Sequence, residues 1–170
     1  MIKVMFVCHG NICRSPMAEM VLKELARREG VSDRLVIASS ATSTEEIYRG
    51  VGNPVYPPAR AELKKQGIPC ESHHACQLTR ADYDRYNLLI GMDKYNLRNM
   101  ERITGGDPAG KIRLLLSYAG RQEDVADPWY SGRFDVAFSD ILEGCTALMD
   151  NLKQNGLLSR GPSEERNKLK

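Results

Sequence analysis

The first candidate for chemistry is the segment VCHGNICRSP, Val7 to Pro16, which holds two cysteines and one arginine. Cys8 and Arg14 are separated by five residues, among them Gly10 and Asn11, which tolerate the positive φ of a tight loop. A loop of this length that leads into a helix can direct several backbone N–H groups inward, and such a nest binds anions. Arg14 can close the nest with a bidentate grip on a phosphate-like group. The spacing therefore predicts an oxyanion site with a cysteine at its floor.

The position of Cys8 inside this loop determines what its thiol can do. Inward N–H groups, the positive end of the helix dipole and Arg14 all favour the thiolate, which is the nucleophilic form of cysteine. A thiolate beneath the phosphorus of a bound phosphate group is placed for in-line attack, which gives a phosphocysteine. Ser15 can hydrogen-bond the sulfur and help it leave in the second step. The alternative is a buried structural cysteine and a surface arginine.

The segment DPWY, Asp127 to Tyr130, offers the proton donor that expulsion of an alkoxide or phenoxide requires. Pro128 disfavours a helical conformation at Asp127, so the aspartate is expected on a loop. The rings of Trp129 and Tyr130 and a nearby anion favour a protonated carboxyl, which suits a general acid. The rings can also wall a pocket for an aromatic leaving group. In the alternative reading Asp127 is a turn residue and the rings belong partly to the core.

Strands alternate with helices along the chain, which predicts a parallel sheet with helices on both faces. The hydrophobic patterns predict strands over residues 2–7, 35–38, 88–92 and 112–116. They predict helices that begin with Ser15 as N-cap and Pro16, that cover 59–66 and 80–86, that start at Asp93, and that present an apolar stripe over 138–152. Residues 42–58 are predicted to form a long loop. Because ligands bind at the carboxyl ends of such strands, the loop after the first strand is well placed for function.

Length and charge restrict the class of protein. The 170 residues fit one domain, predicted over 1–157, followed by a polar tail, 158–170, that is predicted to be disordered. A formal net charge of +2 gives no global field for nucleic acid or a membrane surface, so neither is expected as a partner. The first residues predict a strand rather than a signal peptide, and no apolar segment reaches the ~20 residues of a membrane span.

The five cysteines show no metal-binding spacing, and their odd number favours free thiols in a reducing compartment. We therefore expect a cytoplasmic protein that needs no metal and no cofactor.

These segments resemble the low-molecular-weight protein tyrosine phosphatase family. VCHGNICRSPMAE is similar to the family's active-site loop and DPWY to its acid loop, in the same order and with the same separation. SSATS, GNPVYPPAR, GIP, HHACQLT and MDKYNL also resemble family segments, so the likeness covers roughly residues 2–155. It implies a four-stranded parallel sheet in a flavodoxin-like three-layer sandwich. It also implies metal-free hydrolysis of phosphotyrosine in proteins or peptides, inhibited by phosphate or other oxyanions.

The resemblance implies a role for each matching residue. Cys8 corresponds to the nucleophile, Arg14 to the phosphate-binding arginine, Asp127 to the general acid and base, and Ser15 to the residue that eases departure of the thiolate. The phosphate-binding loop would comprise Cys8, His9, Gly10, Asn11, Ile12, Cys13 and Arg14. Asn11, Ser39 and His73 would hold this loop rigid, although His74 beside His73 leaves the register open. The pocket wall would comprise Ile12, Tyr48, Trp129 and Tyr130.

Two further positions carry family expectations. Cys13 resembles a second loop cysteine that traps oxidised Cys8 as a disulfide, and it can equally line the loop as a small hydrophobe. Ile12 resembles the tyrosine-selective members, since the arginine-phosphatase branch typically has threonine there. The chain departs from the family where Cys76 replaces a common arginine. It also departs before GNPVYPP, where a longer loop carries Glu45, Glu46 and Tyr48.

Three alternatives stay open at this point. A thioredoxin-coupled arsenate reductase has the same loop but needs downstream cysteines, for which Cys70 and Cys76 are candidates, and it lacks a DPWY segment. A non-catalytic phosphate-binding module needs the nest and Arg14 but gains nothing from Cys8 and Asp127 together. A phosphoarginine phosphatase keeps the mechanism and changes the leaving group.

Overall fold

The computed structural model describes residues 1–158, which fold around a four-stranded parallel sheet. The strands are β1 (Ile2–Cys8), β2 (Leu35–Ala41), β3 (Ile47–Tyr48), β4 (Val51–Gly52), β5 (Leu88–Gly91) and β6 (Ile112–Leu114). The α-helices are α1 (Arg14–Arg28), α2 (Pro57–Lys65), α3 (Arg80–Arg85), α4 (Lys94–Thr104), α5 (Pro128–Ser131) and α6 (Phe134–Gln154). The predicted fold class is confirmed.

The strand order β2-β1-β5-β6 places β1 between two strands that come later in the chain. All three pairings in this sheet are parallel, and β1 pairs with β2 from Ile2 and Leu35 through to Cys8 and Ala41. The order changes direction at β1, because the chain moves outward to β2 and then crosses to β5 on the other side. The loop after β1 therefore lies at the switch point, where open parallel sheets bind their ligands.

The side chains of β1 alternate between the two faces of the sheet and pack against helices on each face, so that the fold has three layers. Val4 and Phe6 belong to the larger apolar cluster, which includes residues of α1 and α6. Met5 and Val7 belong to a smaller cluster with Met100 of α4. Because successive strand residues point to opposite faces, the continuous apolar run of β1 is buried from both sides.

Several predicted boundaries require correction. Helix α1 begins at Arg14 with Cys13 in the N-cap position, so the prediction of Ser15 as N-cap was wrong. The Ser15 hydroxyl instead contacts the Cys8 sulfur, which leaves it outside the cap. The strand predicted over 112–116 is β6, and it ends at Leu114. The chain then forms a 3₁₀ helix over Leu115–Ala119.

The segment predicted as one long loop, 42–58, contains the antiparallel hairpin of β3 and β4, and α2 already begins at Pro57. The carboxyl end of β2 also extends three residues beyond the predicted strand, because Ser39, Ser40 and Ala41 continue the pairing with β1.

Leu158, which was assigned to the tail, is 5% exposed and packs in the larger apolar cluster, so the packed part of the chain extends one residue further than predicted. The rest of the predicted tail, residues 159–170, lies outside the described residues. None of the helices within residues 1–158 combines the length and the apolar character needed to cross a membrane.

Candidate active site

The candidate site is the loop of residues 8–14, which follows β1 and leads into α1. The Cys8 sulfur is buried at the base of this loop. It receives the backbone N–H of Asn11 at 3.3 Å and lies 3.0 Å from the Ser15 hydroxyl oxygen. Both groups can donate hydrogen bonds to the sulfur. The sequence prediction that Cys8 lies at the floor of the loop agrees with this placement.

Asn11 holds the loop in its curled conformation. Its φ of 61° is left-handed, a conformation that asparagine adopts more readily than most residues. Its fully buried side-chain amide donates to the Ser15 hydroxyl at 2.8 Å and to the Ser39 hydroxyl at 3.0 Å. Its side-chain oxygen accepts the Cys76 N–H at 3.1 Å and lies 3.1 Å from His73 Nε2. All four hydrogen-bonding positions of this amide are therefore used.

Behind Asn11, the side chains of Ser39 and His73 both contact Glu19, a residue that the sequence analysis did not identify. The Ser39 hydroxyl donates to a carboxylate oxygen of Glu19 at 2.6 Å, and His73 Nδ1 lies 3.8 Å from the same oxygen. Lys23 donates to the other Glu19 oxygen at 2.7 Å. The pairing explains how the buried carboxylate of Glu19 is tolerated on α1.

Arg14 is nearly fully buried and is held by groups from two other segments. Its guanidinium donates to a carboxylate oxygen of Asp93 at 2.7 Å and to the Val125 carbonyl at 2.9 Å, and it lies 3.5 Å from Asp127. Burial by itself would lower the pKa of Arg14, but the neighbouring Cys8, Asp93 and Asp127 outweigh that effect and raise it. The guanidinium is therefore a fixed positive charge at the side of the loop.

Asp93 was predicted only as the start of a helix, and it does cap α4 by accepting the Asn96 N–H at 2.7 Å. The contact with Arg14 is a second use of the same side chain. The sequence alone did not indicate this contact, because it depends on β5 lying beside β1 in the sheet.

Asp127 was predicted to lie on a loop, and its backbone is extended as Pro128 requires, but it also forms the N-cap of the short helix α5. One carboxylate oxygen accepts the Trp129 N–H at 3.1 Å, and the other faces Arg14. The Trp129 ring packs on Tyr56 with their centroids 4.8 Å apart and leaves 53% of the residue exposed. These contacts bring the second motif over the first, although more than a hundred residues separate them.

The two motifs enclose a pocket of about 120 Å³ above the Cys8 sulfur. Its lining consists of Cys8, His9, Gly10, Asn11, Ile12, Cys13, Arg14, Glu45, Glu46, Asp127, Trp129 and Tyr130. The pocket therefore brings together all seven predicted loop residues. It also includes three of the four predicted wall residues, namely Ile12, Trp129 and Tyr130.

Tyr48 is the predicted wall residue that the structure does not bring to the pocket. It lies on the β3–β4 hairpin with 73% of its surface exposed, and Arg49 lies 5.3 Å over its ring. Glu45 and Glu46 occupy the pocket rim instead, with Glu45 3.0 Å from His9 Nε2. The backbone hydrogen bonds of the hairpin turn Tyr48 outward, and residue type alone did not predict that register.

The five cysteines are free thiols in different surroundings. Burial is the main cause that raises the pKa of the Cys13 thiol to about 12, and the adjacent Cys8 and Asp127 add to it. Burial also raises the pKa values of Cys70, Cys76 and Cys145. Cys76, where a family arginine was expected, contributes its backbone N–H to Asn11.

The fold and the loop together define an α/β protein whose pocket lies at the switch point of its sheet, with a cysteine at the floor of the pocket and an arginine at its side. The family model for low molecular weight phosphotyrosine protein phosphatase matches residues 3–158. A Rattus norvegicus protein of that name is 41% identical over 154 residues, which cover 86% of this chain and 93% of the rat protein.

Solved structures show the same likeness. The crystal structure of YfkJ from Bacillus subtilis matches with a TM-score of 0.85 at 32% identity and covers 91% of this chain and 96% of that chain. The structure of a Drosophila arginine phosphatase, DARP, matches with a TM-score of 0.78 at 30% identity and covers 89% and 98%. The chain belongs to the low molecular weight phosphotyrosine protein phosphatase family, and it is a phosphoric monoester hydrolase.

Proposed function

We propose that this protein hydrolyses phosphotyrosine in proteins or peptides through a phosphocysteine formed on Cys8. One observation carries the proposal: the Cys8 sulfur lies at the floor of a pocket whose side holds the Arg14 guanidinium and the Asp127 carboxyl. An anion binder would need the arginine but would gain nothing from a sulfur and a carboxyl that face the same space. A nucleophile and a proton donor placed on one pocket are what ester hydrolysis requires.

In the first step the phosphate group lies in the loop, with Arg14 and the loop N–H groups binding its equatorial oxygens. The Cys8 thiolate attacks phosphorus, so that an S–P bond forms while the bond from phosphorus to the tyrosyl oxygen breaks. Asp127, as the carboxylic acid, gives its proton to the departing oxygen. Arg14 and the N–H groups stabilise the negative charge that spreads over the equatorial oxygens.

In the second step water attacks the phosphocysteine, and the Asp127 carboxylate accepts a proton from that water. The S–P bond breaks, inorganic phosphate leaves and the thiolate is restored. The Ser15 hydroxyl, 3.0 Å from the sulfur, stabilises the thiolate as the leaving group. Asn11, Ser39 and His73 keep the loop in one conformation between the two steps.

The pocket walls favour an aromatic substrate. Trp129 and Tyr130 at the rim and Ile12 on the side present apolar surface along the path to the sulfur. A tyrosyl ring gains by burying its faces against these groups, whereas the charged guanidinium of phosphoarginine loses hydration beside Ile12. Phosphoarginine is the second candidate substrate, because an arginine phosphatase has the same fold at 30% identity.

The test is phosphate release from matched phosphotyrosine and phosphoarginine peptides without metal, with the wild-type protein and Cys8→Ser. We expect turnover of phosphotyrosine that the substitution abolishes. Preference for phosphoarginine would keep the mechanism and overturn the role given to Ile12. No release from either peptide would contradict the phosphatase proposal, and thiol-dependent arsenate reduction would then be measured.

Cys13 is proposed to protect Cys8 during oxidation. Because the pKa of Cys13 is about 12, its thiol stays protonated at neutral pH and does not compete with Cys8 as the nucleophile. When hydrogen peroxide converts Cys8 to a sulfenic acid, the Cys13 sulfur attacks the oxidised sulfur, water leaves and a disulfide forms. We expect peroxide inactivation that thiol reductants reverse in the wild-type protein, and that they reverse far less in Cys13→Ser.

The proposal also includes the setting of the reaction. The substrates are phosphotyrosine proteins or peptides, phosphate and other oxyanions compete for the loop, and no nucleic acid or membrane takes part. A site that depends on a free thiolate requires a reducing compartment, which is consistent with a cytoplasmic location.

A further inference from the structure

A groove of about 550 Å³ lies beside the candidate pocket and is not used by the chemistry described above. It shares Ile12, Glu46 and Trp129 with that pocket. Its other walls include Pro54, which precedes α2, and Pro57 at the start of α2, and both are exposed, so much of its lining is apolar. A groove that shares walls with a catalytic pocket is continuous with the path of any substrate larger than the reacting group.

The groove is fixed relative to the phosphate-binding loop by direct contacts. The Tyr56 N–H donates to the Ile12 carbonyl oxygen at 2.9 Å, which joins the entry of α2 to the loop itself. The Tyr56 ring also packs on Trp129 at 4.8 Å and on Phe134 at 6.0 Å. The distance between the groove and the Cys8 sulfur is therefore set by packed aromatic rings and a backbone hydrogen bond.

One side of the groove carries positive charge. Arg60 and Lys64 both line it, and because they are four residues apart on α2 their side chains lie on the same helix face. Both are exposed, and no carboxylate within residues 1–158 forms an ion pair with either of them. On the pocket side the Glu46 carboxylate accepts the Asn53 side-chain amide at 2.7 Å. The groove is therefore apolar at its floor and cationic on its α2 side.

We propose that this groove binds the substrate residues that flank the phosphotyrosine, and that it selects an apolar residue followed by an acidic one. The inference rests on the proposed function and names the substrate class of the same site. A phosphotyrosine side chain that reaches the Cys8 sulfur brings its peptide backbone across Ile12 and Trp129, which continue into the groove. A neighbouring apolar side chain then covers the exposed Pro54 and Pro57, and a carboxylate beyond it meets Arg60 and Lys64.

The test compares phosphotyrosine peptides in which one aspartate is moved stepwise along either side of the phosphotyrosine, next to a fixed leucine. In the wild-type protein we expect one register with the highest kcat/KM. In the double variant Arg60→Gln/Lys64→Gln that preference falls roughly three- to tenfold, as expected for two exposed ion pairs. Lys65→Gln is the matched control, because Lys65 is exposed on the same helix but does not line the groove.

A charge reversal makes the test independent of any general loss of activity. Arg60→Glu/Lys64→Glu is expected to favour a lysine in the register where the wild-type protein favours aspartate. The rate on p-nitrophenyl phosphate, which does not reach the groove, stays unchanged in every variant. The wild-type protein could hydrolyse p-nitrophenyl phosphate and yet have the same kcat/KM for peptides with acidic, neutral and basic flanking residues. That result would overturn this inference and leave the proposed function intact. Failure to hydrolyse p-nitrophenyl phosphate would overturn the proposed function and this inference with it.

Discussion

At the scale of single residues, the site depends on side chains that each satisfy more than one requirement. Asn11 supplies both the left-handed φ and the four side-chain hydrogen bonds that connect the loop to its neighbours. The sequence indicated the first role, because asparagine and glycine are the residues that tolerate such a φ. It indicated the second only through the family resemblance, which named Ser39 and His73. It gave no indication of the contact with Cys76, which is distant in the chain.

The substitution Asn11→Gly separates these two roles, because glycine keeps the backbone conformation and removes the amide. We expect the free energy of unfolding to fall by about 2 kcal/mol, since several buried partners lose a hydrogen bond. We also expect a lower kcat, measured on p-nitrophenyl phosphate. Chemical denaturation and steady-state kinetics check the two effects. A kcat equal to that of the wild-type protein would show that the loop is rigid without this network.

The role of Asp127 predicts a dependence on the leaving group. In Asp127→Asn, kcat/KM for phosphotyrosine, whose phenol leaves poorly, is expected to fall by roughly 10²–10⁴-fold. The loss is expected to be much smaller for p-nitrophenyl phosphate, because p-nitrophenol leaves without a proton.

Asp93→Asn is the matched control, since Asp93 also contacts Arg14 but is not the proposed acid. Its loss of activity is expected to be the same for both substrates. An equal loss for both substrates in Asp127→Asn as well would contradict the assignment of the acid.

At the scale of elements, the structure shows why the helices and strands were predicted better than the contacts between them. Apolar periodicity placed α4, α6 and the four sheet strands, because burial determines that pattern. The Ser15 hydroxyl contacts Cys8 and Asn11 of the loop, and Tyr48 is turned outward by its pairing with Val51 in the hairpin. Apolar periodicity indicates which residues are buried and contains no information about these hydrogen bonds.

The β3–β4 hairpin illustrates a contact that only the structure shows. A Cβ atom on Gly52 would lie 1.8 Å from the backbone carbonyl oxygen of Ala75, in the segment that carries His73 and Cys76 to Asn11. Backbone atoms at this distance cannot move aside cheaply. The hairpin and the supporting segment are therefore packed together, and a disturbance of one should reach the loop through the other.

We therefore expect Gly52→Ala to destabilise the protein by at least about 2 kcal/mol and to lower kcat. Gly50→Ala is the control on the same hairpin. A Cβ atom there would meet nothing within 4 Å, but the φ of 78° is strained for alanine. The Gly50→Ala substitution should therefore lower the free energy of unfolding by about 1 kcal/mol and leave kcat unchanged. Thermal unfolding and activity on p-nitrophenyl phosphate check both. Equal behaviour of the two variants would show that the hairpin does not support the loop.

At the scale of the whole molecule, the sequence predicted a four-stranded parallel sheet with a site in the loop after its first strand. The structure has that sheet, and the loop after β1 lines a pocket. Two features made this possible: the strand-helix alternation, and a motif whose residues lie within ten positions. The parts that could not be predicted, such as the use of Asp93 and Glu19, depend on α1 lying next to β2 and next to the end of β5. Residues from separate elements meet there only after folding.

Binding of an anion to this site should stabilise the entire fold by mass action. At a phosphate concentration of about 100 times Kd, the free energy of unfolding is expected to rise by about 2.7 kcal/mol. The corresponding increase in Tm is roughly 5–10 °C for a chain of this size. Differential scanning calorimetry measures it.

Cys8→Ser should keep most of this stabilisation, because the N–H groups and Arg14 remain, whereas Arg14→Met should lose it. An equal shift in Arg14→Met would place the anion elsewhere on the protein.

The most direct test of the account is a rapid-quench experiment with p-nitrophenyl phosphate, followed by mass spectrometry of the digested protein. The account predicts one phosphoryl group on the peptide that contains Cys8, formed before the steady state. The same peptide from Cys8→Ala, which has no nucleophile at this position, is expected to carry no phosphoryl group after the same mixing time. Wild-type turnover without a phosphoryl group on Cys8, or with one on another residue, would contradict the central claim.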